Sequence, residues 1–389
     1  MPAKEDFLRY RTQTDPVADQ VIEAIEKMDG YRVEDLLSHL VHNRDIDRTA
    51  LPPVVDEYFS KNEVLPSYTN SRMLLTGQEV FQRHGTESTL LLFFLSLPAA
   101  YACWRGALVL YETGRLAERR DEVRYSRRMM ETAQFVIDVM APGAFDAGGT
   151  GIVAALKVRL IHASIRYFIR KRGGWDTTVY GEPINQQDMA GTLMSFSAMV
   201  LNGLKKMGIR LTPDEEEGYF HCWRVTGHLV GLDAALIPET YSQGVKLGFA
   251  ILDDQKGPSE HGNILVQALV NFVNEKLPGK LLDNYLPIYL INHFVGENIG
   301  GVLTFQHKPT VWDRVIDFLI RTFSSVLRFF RVDKTSVVVG KMVVMKDNFQ
   351  QLLITHFNED KQVFLTIPPS LRDNWKLDSR GKARGVTQD

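Results

Sequence analysis

The sequence predicts an all-α protein, and three observations carry that prediction. Apolar residues recur at helical intervals through most of the chain. Helix starts carry capping chemistry, as in Thr212-Pro213-Asp214-Glu215. Pro and Gly punctuate the stretches between, as at Pro142-Gly143 and Gly173-Gly174. Only 335–345 is ambiguous, because its valines favour a strand within helical surroundings.

Taken in order, Val17, Val21, Ile22 and Ile25 form one apolar stripe and predict a helix over 16–28. Short helices are expected at 36–42 and 53–59, with a Pro/Ser/Asn-containing connection at 65–71. Ser96 followed by Pro98 reads as a helix start, the helix then running through Trp104 to Glu112 and stopping at Gly114. Further helices are expected over 125–140, 152–172 and 188–207, and from the Thr212 cap to Val230. A polar loop at 253–262 precedes helices at 263–277, 282–294 and 311–331. No linker divides the chain, so 1–375 is expected to be one domain, with 376–389 a charged, disordered tail.

The chain has 389 residues, of which 44% are hydrophobic and 24% charged, enough to bury a large core or a sizeable cofactor. A net charge of -2 gives no general attraction to phosphates, and no RNA-binding motif occurs, so nucleic acid is not an expected partner. Two cysteines, Cys103 and Cys222, are too few for a disulfide framework or a structural zinc site. The N-terminus lacks an apolar signal core, and the nearest approach to a membrane segment, 90–104, is short and contains Pro98. The expectation is a cytoplasmic protein without a transmembrane segment.

Arg159, His162 and Arg166 fall on one face of the 152–172 helix at about 3.6 residues per turn, flanked by Val158, Ile161, Ile165 and Phe168. A lone imidazole between two guanidinium groups suits an iron porphyrin, His ligating the metal and Arg pairing with carboxylates. The spacing by itself is more often that of a structural helix. Upstream, Arg128, Glu131, Thr132 and Phe135 share a face, and Glu112 lies near the end of the preceding helix. His221 and His228 read as structural, while His39 and His42 have ligand spacing but no third ligand nearby. A di-iron carboxylate bundle, a serine-hydrolase elbow and a P-loop are excluded by the lack of their motifs.

The segment Arg159-Leu160-Ile161-His162-Ala163-Ser164-Ile165-Arg166 resembles the Arg-Leu-x-His-Ala-x-hydrophobic-Arg signature of the latex-clearing protein type of rubber oxygenase. That type sits within a broader group that includes the mycophenolic-acid-pathway oxygenase. Glu112 in Tyr111-Glu112-Thr113-Gly114, and Arg128 with Thr132, are similar to the family's distal-pocket residues in order and spacing. Asn185-Gln186-Gln187-Asp188, Thr192, Phe196, the 223–231 stretch, Ile367-Pro368 and Trp375 extend the resemblance over 15–375.

The resemblance implies a globin-like helical core with additional helices around a haem pocket, haem b as cofactor, and His162 as the axial iron ligand. It implies cleavage of an isoprenoid carbon-carbon double bond by O2. Glu112 would be the base that removes an allylic proton, a role suited to a desolvated carboxylate, and Arg128 and Thr132 would orient the reacting groups. Arg159 and Arg166 are expected either to pair with haem propionates or to anchor the helix. Glu131 stands where rubber-cleaving members carry a lysine, so it is expected to bind the iron weakly or to share the base role. The missing export signal favours a smaller lipid or terpenoid over an external polymer. Haem-dependent hydroxylation or peroxidation, and a helical haem-binding protein without turnover, are the competing readings.

Overall fold

The computed structural model describes residues 4–40, 48–114, 122–276 and 285–303. Among them every regular element is helical, and the sole β-type pairing is an isolated bridge between Cys103 and Lys256. The predicted 311–331 helix, the ambiguous 335–345 stretch, Ile367, Pro368, Trp375 and the 376–389 tail lie outside the described residues.

Helices α1 (Phe7–Arg11), α2 (Pro16–Glu26), α3 (Val33–Leu40) and α4 (Pro53–Asn62) open the chain. Pro16 occupies the first turn of α2, where a missing N–H leaves no bond unmade; Val21, Ile22 and Ile25 of the predicted stripe are buried together with Ala18, whereas Val17, also expected on it, is exposed. α5 (Ser71–Leu91) starts at Asn70, whose side chain accepts from the backbone N–H groups of Arg72 and Met73. It does not end where a new helix was expected to begin at Ser96. Instead it continues through a buried π-helical turn, Leu92–Ser96, into α6 (Leu97–Ala102). The Leu97 N–H reaches back five residues to the Leu92 carbonyl, while Pro98 has no N–H with which to extend a regular ladder.

The chain turns at Cys103 (φ −76, ψ 86), so the helix expected from Ser96 to Glu112 is split, and α7 (Trp104–Gly114) is a separate element. α8 (Glu122–Met140) and α9 (Thr150–Arg172) follow, α9 stopping at Gly173 with φ +74. After the single turn α10 (Thr177–Tyr180), the helix expected over 188–207 is also two, α11 (Gln186–Phe196) and α12 (Ala198–Lys206), broken at Ser197. α13 (Pro213–Leu229) has the complete capping box of Thr212 and Glu215. α14 (Tyr241–Gln255), α15 (Glu260–Lys276), α16 (Tyr285–Val295) and α17 (Glu297–Gly300) complete the described set.

α9 is the axle of the packing: α2, α3, α8 and α13 all lie against it. That is why it buries residues around its whole circumference, polar Lys157, Arg159 and Arg166 among them. α5 runs along α13, and the two backbones touch where Gly77 meets Gly218. Buried apolar side chains from Phe7 to Leu303 form one continuous core.

Candidate functional site

His162 sits halfway along α9, between Ile161, buried on one flank, and Ala163. Its ring lies deep in the protein, and the residue is half-buried. Its Nδ1 is buried and makes no hydrogen bond. Burial, followed by the nearby Arg166 cation, pushes the imidazole down to about 3, so it is neutral across the ordinary pH range. A neutral imidazole is the form that ligates a metal. Among the described residues no three His, Cys, Asp or Glu side chains converge to form a protein-only metal cage.

The two arginines that bracket His162 are already paired. Arg159 grips Asp15 with two nitrogens, Nε at 2.5 Å and Nη2 at 2.8 Å, and its Nη1 donates to Asn62 at 3.2 Å. Burial works against the Arg159 charge, but the hydrogen bond and charge of Asp15 outweigh it and raise the guanidinium above its ordinary value. Arg166, fully buried, meets Asp19 at 2.7 Å and reaches the Ile184 carbonyl at 3.3 Å. Of the two roles expected for these arginines the geometry matches helix anchoring, because Arg159 makes a two-pronged contact with Asp15 and Arg166 contacts Asp19, both in the α2 segment. Sequence reasoning missed Asp15 and Asp19. The available signal was their spacing of four, facing two arginines on another helix.

Glu112 lies near the end of α7 and forms an ion pair with Arg172 at the end of α9. Its side chain keeps 25% of its surface, so the carboxylate is partly desolvated and ion-paired. Arg172 is ten residues beyond His162, about 15 Å along the helix axis. Glu131 is buried and Thr132 half-buried on α8, the helix packed against α9. The side chain of Arg128 lies outside the described residues. α8, with Glu131 and Thr132, packs against the helix that carries His162, while Glu112 on α7 meets α9 at its far end through Arg172, and Arg159 and Arg166 turn toward α2.

Two other histidines have structural partners. His221 accepts the Asn70 N–H at 3.0 Å, which places it at the cap of α5, and His39 bonds Tyr31 at 2.8 Å. His42 lies outside the described residues. A groove of about 230 Å³ between α2 and α9, lined by Glu23, Tyr167 and Lys171, does not include His162.

Residues 89–330 match the family described as ER-bound oxygenase mpaB/B'/Rubber oxygenase, catalytic domain. The chain belongs to this family. It is an oxygenase-family enzyme with an all-helical fold. It is 24% identical over 363 residues to a rubber oxygenase of Streptomyces sp. (strain K30), covering 91% of this chain and 85% of the relative. Its fold is similar to a latex clearing protein solved in the closed state, with a TM-score of 0.73 and 22% identity over 89% of this chain and 91% of that one. The rubber-oxygenase match spans α6 to α17 and includes His162, Glu112, Glu131 and Thr132, but begins after α1 to α4 and most of α5.

Proposed function

We propose that this rubber-oxygenase family member is a haem b-dependent oxygenase that uses O2 to cleave a carbon-carbon double bond of an isoprenoid or similarly unsaturated apolar substrate. The observation that carries the reading is His162: one neutral, deeply set imidazole, with no protein partner on Nδ1, in an oxygenase-family chain. A single imidazole suffices as a metal site only where other ligands come from outside the polypeptide, as four do from a porphyrin. Bound haem b supplies the dioxygen-activating iron, which His162 would hold from one side.

The protein's own part is to position and to move a proton. Glu112 is the carboxylate that takes the allylic proton, and to do so it must leave Arg172 or share its second oxygen. Thr132 supplies a hydroxyl from α8, and the role of orienting cation falls to Arg128, four residues earlier in the sequence, as the resemblance implies. Glu131, buried beside Thr132, is a second carboxylate on that helix and shares proton handling with Glu112. Buried apolar residues of α9, Leu160, Ile161 and Ala163 among them, set the imidazole in an apolar surrounding.

The test is spectroscopic and then chemical. Purified protein is expected to show a Soret band and, with a model polyisoprene under oxygen-18, to yield labelled aldehyde and ketone ends. A colourless preparation after expression with added haem precursor defeats the haem reading. Labelled product with the double bond retained defeats cleavage in favour of hydroxylation.

A further inference from the structure

We propose that α2 belongs to the ligand-bearing assembly: Asp15 and Asp19 are positioning residues that fix the rotation of α9 and thereby the direction of the His162 ring. The proposal rests on the haem reading above and adds to it a part of the chain that precedes the matched region, which starts at residue 89.

Several observations converge. Asp15 and Asp19 lie one helical turn apart at the start of α2, and Arg159 and Arg166 two turns apart on α9, about 10 Å along the axis. His162 lies between the two arginines, three residues after one and four before the other. A single ion pair allows a helix to roll about the contact, whereas two pairs spaced along the axis, one of them a bidentate fork, remove that freedom. The pairs are also sealed in: Asp15 and Asp19 keep side-chain exposures of 4% and 12%, and Arg166 keeps none.

Gly231, with φ +82, closes over the first pair. A methyl group there would strike both the Asp15 carboxylate and the Arg159 guanidinium, so the turn after α13 holds that pair in place. Finally, a metal-ligating histidine is ordinarily steered by a hydrogen bond from its other nitrogen, and the buried Nδ1 of His162 has none. The orientation that such a bond supplies must here come from the helix itself.

Full-length protein reconstituted with haem b tests this through three measurements on Asp19→Asn, Asp19→Glu and Arg166→Lys. These are the rate of haem release to excess apoglobin, the ferrous iron–imidazole stretching frequency, and hydrogen exchange of the α9 amides without haem. Asp19→Asn is expected to release haem about 10- to 100-fold faster, the range for losing a group that orients a metal ligand. Its iron–imidazole band should shift and its α9 amides exchange faster, with Asp19→Glu restoring all three toward wild type. Arg166→Lys keeps the charge but loses the fork, and should shift the band even where folding is intact.

A lower melting temperature with unchanged release and an unchanged band in both Asp19→Asn and Arg166→Lys would make the pairs merely structural and overturn the proposal. Wild-type protein that takes up no haem defeats the functional reading first, before any variant is compared.

Discussion

Removing the imidazole at position 162 separates the haem reading from a structural one. His162→Ala is expected to abolish the Soret band while leaving the far-ultraviolet circular dichroism of a helical protein, and full haem retention would reject the ligand assignment. Glu112→Gln keeps the shape of the Arg172 contact and removes the base, so haem content should stay and double-bond cleavage fall by about 10²- to 10⁴-fold. The imidazole was legible because Arg159, His162 and Arg166 share a face at intervals of three and four. The partners of those arginines were not, because Asp15 and Asp19 are 144 and 147 positions away in sequence. Arg172 was likewise hidden, since the ends of α7 and α9 meet only in the folded chain.

At the scale of elements, the close approach of α5 and α13 makes an asymmetric pair of glycine predictions. In Gly77→Ala the new methyl lands on the Gly218 backbone, which cannot swing away as a side chain can, so a loss of about 1–3 kcal/mol is expected. Gly85→Ala meets only the Phe81 ring at 3.6 Å, an ordinary contact, and should be neutral or gain up to about 1 kcal/mol in helix propensity. Denaturant melts of the two variants check both, and equal effects would show that the helices are not in backbone contact.

α5 itself escaped the sequence because Gly77, Gly85 and the Thr86-Glu87-Ser88-Thr89 run weaken its propensity, and His84 leaves helical geometry within it. α14 escaped too, its end at Gln255 lying inside the predicted polar loop. α13 was found because its cap is local chemistry: Thr212, Pro213 and Glu215 need nothing distant to act. The breaks at Cys103 and Ser197 depend on neighbours, the first on a bridge to Lys256, and no local residue announces them.

For the whole molecule, the histidines set a pH window. His221 is pushed down to about 4, by burial and then by Arg224, and His228 is lowered by burial and then by Arg159. Above pH about 6.5 these rings are neutral in both folded and unfolded chains and contribute nothing to pH dependence. Below it the unfolded chain binds protons that the folded one refuses, so stability falls as pH drops from about 6.5 toward about 4. The melting temperature of haem-free protein should therefore decline across that interval and hold level from 7 to 8. His221→Gln, which can still accept the Asn70 N–H, should flatten the decline, and an unaltered slope would remove His221 from the account. No helix among the described residues is long and apolar enough to cross a membrane, so these melts address the core and caps described above.

The bare Nδ1 of His162 has an electronic consequence under the haem reading. An acceptor on that nitrogen gives an axial imidazole anionic character, which stabilises the ferric state. Without one, His162 would donate weakly to a bound iron, whose midpoint potential is then expected to lie higher than with a hydrogen-bonded imidazole.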